Sequence, residues 1–132
     1  EPFIVINGDI ITNLDFSKLY SSHLNSKAKM TAVTKVLEAP LRYGIVKCSN
    51  GTISEIEEKP NLKFEILAGI YVLNPEVLGL IPKGAYNMTQ LIRDLIDSGE
   101  NINRYLLEDY WLDIGQMGSY KQAQKDVKEG LI

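Results

Sequence analysis

Two acids in this 132-residue chain stand where apolar runs stop. Phe3-Ile4-Val5-Ile6 ends at Asn7-Gly8-Asp9, and Trp111-Leu112 leads into Asp113-Ile114-Gly115. A carboxylate just past the carboxyl end of a buried strand lies where open α/β sheets bind ligands. A glycine beside it lets the backbone turn and a ligand approach. Mg²⁺ takes one or two carboxylates and completes its shell with phosphate oxygens and water. Asp9 and Asp113 are therefore candidate ligands for one metal held against a phosphoryl group. Buried, an acid like Asp113 would need such a partner. A third element, Glu58-Lys59-Pro60, carries an ammonium suited to phosphate. Gly44, next to Tyr43, leaves room for a sugar. Each residue also has a plainer reading. The acids suit turns, Glu58 and Lys59 suit a solvated hairpin edge, and Gly44 suits a bulge.

Other chemistries find less support. His23 is the single histidine and falls on a helix face, so it reads as a packing residue and leaves no His-based metal site. Cys48 has no partner for a disulfide or a catalytic dyad and reads as a small core residue. No G-x-S-x-G elbow or triad spacing occurs. The formal net charge is -3, which argues against nucleic acid or an anionic membrane as partner. No apolar run approaches a membrane span and no signal peptide is present. One cysteine fits a reducing, cytoplasmic setting.

The elements that must position these residues follow from periodicity. Phe3 to Ile6 is a continuous apolar run, suited to a strand buried on both faces as in a parallel sheet. Asp15 is a plausible N-cap for a helix with Phe16, Leu19, Tyr20, His23 and Leu24 on one face. Met30 to Leu37 reads as a strand. Two runs, 43–48 and 52–56, flank Ser49-Asn50-Gly51, a strong hairpin signal. Pro60 marks the end of that hairpin. Ile66 to Leu73 is a strand interrupted at Ala68-Gly69. Pro75 opens a short helix ending near Ile81. Asn87 and Gln90 have capping-box spacing for a helix closing at Gly99, with Leu91, Ile92, Leu95 and Ile96 as its apolar face. Short strands at 102–107 and 110–114 and a helix over 118–129 complete the chain. This is a mixed α/β domain with a mostly parallel sheet, flanking helices and an antiparallel hairpin.

In this order the motifs resemble one family, the sugar-phosphate nucleotidylyltransferases, also called NDP-sugar pyrophosphorylases. The matching segments are Val5-Ile6-Asn7-Gly8-Asp9, Tyr43-Gly44-Ile45-Val46, Glu57-Glu58-Lys59-Pro60, Ala68-Gly69-Ile70-Tyr71-Val72-Leu73 and Trp111-Leu112-Asp113-Ile114-Gly115, with Tyr120 downstream. Each is short, but five in family order span nearly the whole chain.

The resemblance implies a nucleotide-diphospho-sugar transferase-like fold of truncated Rossmann type. It implies Asp9 and Asp113 as Mg²⁺ ligands, Lys59 on the sugar phosphate and Glu58 on sugar hydroxyls. Gly8, Tyr43, Gly44 and Gly69 would line the substrate site. Asn87-Met88-Thr89 and Glu108-Asp109-Tyr110-Trp111 look closest to the mannose-1-phosphate guanylyltransferase-like branch, which serves nucleotide-sugar and surface-polysaccharide synthesis. That implies a sugar-1-phosphate and a nucleoside triphosphate, GTP first, as partners. The family's glycine-rich nucleotide loop has no counterpart in residues 1–132. The chain therefore reads as the C-terminal portion of a catalytic domain, inactive alone and prone to self-association through an exposed strand. The alternative is a non-catalytic module that binds or senses a sugar phosphate.

Overall fold

Six successive buried residues, Ala68 to Leu73, put one strand at the centre of the structure. The computed structural model describes all residues, 1–132. The elements run β1 (Phe3–Ile6), β2 (Ile10–Thr12), α1 (Phe16–Ser26), β3 (Met30–Pro40), β4 (Ile45–Ser49), β5 (Thr52–Glu57), β6 (Asn61–Leu73), a 3-10 turn (Pro75–Leu80), α2 (Met88–Asp97), β7 (Ile102–Leu106), β8 (Trp111–Asp113) and α3 (Met117–Lys128). They fall into two compact units. The larger holds residues 1–35 and 67–132, the smaller 36–66.

The larger unit is built on a four-stranded sheet ordered β1-β6-β3-β7. β1 pairs antiparallel with β6, from Phe3↔Leu73 to Ile6↔Ile70. β3 pairs parallel with β7, from Met30↔Ile102 to Thr34↔Leu106. The sheet is mixed and the class is α/β, as the sequence pattern implies. Successive side chains of β6 point to opposite faces. Ile70 and Val72 join Leu14, Leu19, Val33 and Leu107 in one cluster. Tyr71 and Leu73 join Met30, Val77, Leu91 and Leu95 in the other. Each fully buried aliphatic contributes about 1.5–3 kcal/mol, so the two clusters clamp the sheet from both sides.

Helix ends follow their local chemistry. Asp15 accepts from the N–H groups of Ser17 and Lys18 to start α1. Asn87 and Gln90 form a reciprocal capping box at α2. Gly99 closes that helix at φ 75, donating to the Ile96 carbonyl at 2.9 Å. His23 is 2% exposed and packs as expected, but through polar partners. Its Nε2 meets Asn74 Oδ1 at 3.0 Å, and its Nδ1 meets Thr31 Oγ1 at 2.8 Å. Asn103 donates to the same threonine at 3.2 Å.

Several expectations are corrected. β1 is not buried on both faces. Phe3 and Val5 pack inward, while Ile4 and Ile6 are 36% and 42% exposed. The reason is its place at the end of the sheet with one partner, to which it pairs antiparallel and not as in a parallel sheet; the doubly buried stretch is Ala68 to Leu73 of β6. Phe16 and Leu24 stay exposed on α1, and Ile96 on α2, because the contacting stripe of each helix is narrower than its apolar pattern. Cys48 is not a core residue. It is exposed, because the β4–β5 ribbon that carries it has no buried position beyond the partly buried Ile45.

In the smaller unit β4 and β5 pair antiparallel up to Ser49↔Thr52, leaving Asn50-Gly51 as a two-residue loop. Both loop residues have positive φ, 50 and 78, the geometry that matches strand twist. The hairpin is the one the sequence indicates.

α3 is fastened to the loop before β8 by a buried carboxylate. Asp126, 6% exposed, accepts from the Tyr110 hydroxyl and from Gln122 Nε2, each at 2.6 Å. Burial, then the bond to Asp126, push the Tyr110 phenol up to about 12. Such a raised folded value stabilises fully below the ordinary tyrosine range and fades as pH climbs through the folded value. Tyr110→Phe is expected to cost about 1–3 kcal/mol in urea unfolding at neutral pH. It should also flatten the stability loss expected as pH climbs from about 10 toward 12; Tyr86, pushed up to about 12 by its bond to Asp94, and Tyr71, raised by burial, contribute to the same loss.

Candidate functional site

Asp9 and Asp113 meet because a short ladder joins the segments that carry them. β2 follows Asp9 directly and pairs antiparallel with β8, with Ile10 opposite Asp113 and Thr12 opposite Trp111. The Ile114 N–H donates to the Asp9 carbonyl at 2.8 Å. At the far end the Thr12 hydroxyl donates to the Tyr110 carbonyl at 2.6 Å. The two carboxylates then converge above Gly115. A methyl placed on Gly115 would lie 3.0 Å from Asp113 Oδ1 and 3.1 Å from Asp9 Oδ2. The Gly115 N–H holds Asp113 Oδ1 at 2.8 Å. Both acids are exposed, so burial does not force a partner on Asp113.

A kink in β6 supports this corner. Gly69 adopts φ 72, a conformation that costs other residues about 1–2 kcal/mol. Its carbonyl accepts from the Asn7 N–H at 2.9 Å, and the Ala68 carbonyl accepts from the Trp111 indole at 2.8 Å. Two neighbouring carbonyls thus tie down the segments bearing both acids. The Asn7 side chain lies on Gly69, where a Cβ would sit 2.8 Å from Nδ2. Gly8 differs. Its φ is not left-handed and no atom lies within 4 Å of an added Cβ. Neither backbone nor packing requires glycine there, so the space is open to a ligand.

The other candidates belong to the smaller unit. A Cβ on Gly44 would touch Glu58 Oε2 at 3.4 Å, so these two residues are neighbours. Tyr43 is 80% exposed. Lys59 is exposed and has φ 43. Residues before proline prefer extended backbone, so Lys59 is strained, and strain of this kind clusters at functional positions. The turn is held by the Leu41 N–H bonding the Pro60 carbonyl at 3.0 Å. Nearby, Lys63 and then Asn61 bond Glu38 and hold its carboxyl below the usual range.

Two carboxylate oxygens near one point are hard donors of the kind that could hold Mg²⁺. No group of three His, Cys, Asp or Glu side chains is present, so further ligands would be phosphate and water. An open recess of about 680 Å³ beside α1, lined by Ser17, Lys18, Ser22 and Asn103 among others, contains none of these residues. Sequence reasoning missed β2, the Trp111 indole bond and the spacing role of Gly115. A three-residue strand carries no periodic signal, and a bond between distant residues leaves none.

The nucleotidyl transferase family model matches residues 1–130. A mannose-1-phosphate guanyltransferase of Yarrowia lipolytica is 35% identical over 87% of the chain and 33% of its own length. A UTP–glucose-1-phosphate uridylyltransferase of Synechocystis is 35% identical over 96% of the chain and 35% of its own length. Among solved structures, a Bacillus anthracis protein assigned as a glucose-1-phosphate thymidylyltransferase, in complex with sucrose, aligns with a TM-score of 0.68 and 25% identity. That alignment covers 95% of this chain and 54% of that one. The chain spans about a third of the length of the curated relatives it matches. No helix is long and apolar enough to cross a membrane.

Two substitutions separate the structural demands on these residues. Gly69→Ala meets both a left-handed φ and the Asn7 amide, and is expected to lower stability by about 2–4 kcal/mol. Adding Asn7→Ala should recover the part due to the Asn7 amide, leaving the contact with Ile10 Cγ1 at 3.3 Å and the backbone strain, as read by denaturant unfolding. Lys59→Gly removes about 1–2 kcal/mol of strain against about 0.5–1 kcal/mol of added chain entropy. The melting temperature should therefore hold or rise although a candidate site residue is lost.

Proposed function

Because the chain belongs to the nucleotidyl transferase family, we propose that it carries the metal and sugar-phosphate part of an enzyme that makes an NDP-sugar from a nucleoside triphosphate and a sugar-1-phosphate. The observation that carries this reading is the convergence of Asp9 and Asp113 on Gly115, with the gap at Gly8 beside it. The proposed sugar is mannose and the proposed base guanine. The Yarrowia lipolytica and Dictyostelium discoideum relatives, named for that reaction, support this choice. Uridine with glucose is the competing pair, supported by the Synechocystis relative.

In this reaction a phosphate oxygen of the sugar-1-phosphate attacks the α-phosphorus of the triphosphate. A new P–O bond forms, the bond to the β-phosphate breaks, and pyrophosphate leaves with the electron pair. The attacking phosphate has a second pKa of roughly 6 and is mostly ionised at neutral pH. No general base or covalent nucleophile is needed, which suits a chain with one buried histidine and one exposed cysteine. The task is to align two anions and offset their repulsion. Asp9 and Asp113, kept in place by the β2–β8 ladder, would hold Mg²⁺, which when bound would supply positive charge against the phosphoryl groups. Lys59 places its ammonium on the sugar phosphate, and Glu58 accepts from sugar hydroxyls. In the smaller unit Tyr43 and Gly44 would face the sugar; in the larger unit Gly8 lies open, whereas Gly69 is buried under the Asn7 side chain and acts through the backbone it turns. The triphosphate requires a glycine-rich loop that residues 1–132 do not contain, so turnover belongs to the full-length protein.

The test is pyrophosphate release by the full-length protein with GTP, UTP, ATP and dTTP against mannose- and glucose-1-phosphate. Turnover is expected with GTP and mannose-1-phosphate. Asp113→Asn should lower kcat/KM by at least about 10²-fold while leaving the melting temperature close to that of the parent, since the residue is exposed. A rate within about twofold of the unmodified enzyme would remove Asp113 from the mechanism. Sugar-1-phosphate binding that ignores both Mg²⁺ and Asp113→Ala would instead favour a non-catalytic module.

A further inference from the structure

Gly115 is glycine for a reason its backbone does not supply. It is not among the left-handed glycines of the chain, so any residue could adopt its φ. What it lacks is room. A Cβ there would stand 3.0 Å from Asp113 Oδ1 and 3.1 Å from Asp9 Oδ2, inside the roughly 3.5 Å at which non-bonded heavy atoms rest. Its own N–H already holds Asp113 Oδ1 at 2.8 Å. The same residue therefore fixes one carboxylate by a hydrogen bond and lets the other close in over a bare Cα.

We propose that Gly115 is a positioning residue for the acid pair, its N–H orienting Asp113 and its missing side chain setting how closely Asp9 and Asp113 approach one divalent cation. This rests on the reading that the two acids hold a cation. Gly115 does not touch the reacting atoms. It acts through the carboxylates, as the outer partners of metal ligands do.

The test uses the 14.8-kDa chain and Mn²⁺ as a paramagnetic probe, read by the broadening of backbone amide NMR signals. In the unmodified chain, broadening should centre on Gly8, Asp9, Ile10, Ile114 and Gly115. Gly115→Ala should weaken the apparent Mn²⁺ affinity by about 10- to 100-fold while the rest of the spectrum keeps its dispersion. Gly79→Ala adds a methyl where nothing lies within 4 Å and should bind as the unmodified chain does; an equal loss there overturns the proposal. Asp113→Asn separates the two layers of inference. If it binds Mn²⁺ unchanged, the cation reading itself fails. If it loses binding and Gly115→Ala stays within twofold, the cation reading stands and the role of Gly115 is overturned. Should Gly115→Ala alone not fold, Asp9→Ala/Gly115→Ala relieves one of the two contacts. Recovery of dispersion supports the geometry, and no recovery refutes it.

Discussion

The pairing of Ile10 with Asp113 is the constraint on which the site depends. It lies in a ladder three residues long, too short to be stable alone. It persists because its ends are fastened elsewhere. The Trp111 indole reaches the Ala68 carbonyl, and the Asn7 N–H reaches the carbonyl of Gly69 beside it. β6, buried on both faces, is the rigid member, and its one left-handed residue turns two carbonyls toward the strands that carry the acids. The carboxylates thus remain exposed to solvent while the bonds that fix their segments come from backbone and core. Sites mounted this way are more exact than sites on free loops.

How much of this the sequence discloses depends on the range of the interaction. The Asp15 cap, the Asn87–Gln90 box, the Gly99 stop and the Asn50-Gly51 turn are settled within a few residues, and each is found where the residue types place it. Burial is settled by the whole fold and is less legible. The run Phe3 to Ile6 and the run Ala68 to Leu73 look equally apolar, yet only the second lies between two strands. His23 reads as packing, but its partners Thr31 and Asn74 come from two separate segments, and Asn103 reaches the same Thr31 from a third. For the site, the acids and glycines announce themselves through motif order. The carboxylate spacing at Gly115 and the indole bond emerge only from coordinates.

The two units carry different kinds of cost. In the larger one, left-handed backbone falls at Gly69, where glycine relieves it, and at Lys27, which ends α1. In the smaller one it sits at Lys59, a lysine in left-handed backbone ahead of a proline. Packing of its own side chain gives no return for that conformation, since the side chain is exposed. The residue after it, Pro60, is buried and its carbonyl is held by the Leu41 N–H, so the turn that seats Pro60 offsets part of this strain.

The smaller unit also has a kinetic meaning. Residues 36–66 interrupt the larger unit, whose halves must find each other across them. Pairing β1 with β6 closes a loop of about 60 residues, at a cost that grows with the logarithm of its length. The β4–β5 hairpin needs no distant partner and closes through two residues that already favour the turn. Hairpins of this kind form in about 1–10 μs. Once formed, this one brings Ile45 beside Glu57 and so shortens the loop that remains to be closed. An exposed ribbon that contributes almost nothing to the core can still lower the entropic barrier to assembling it.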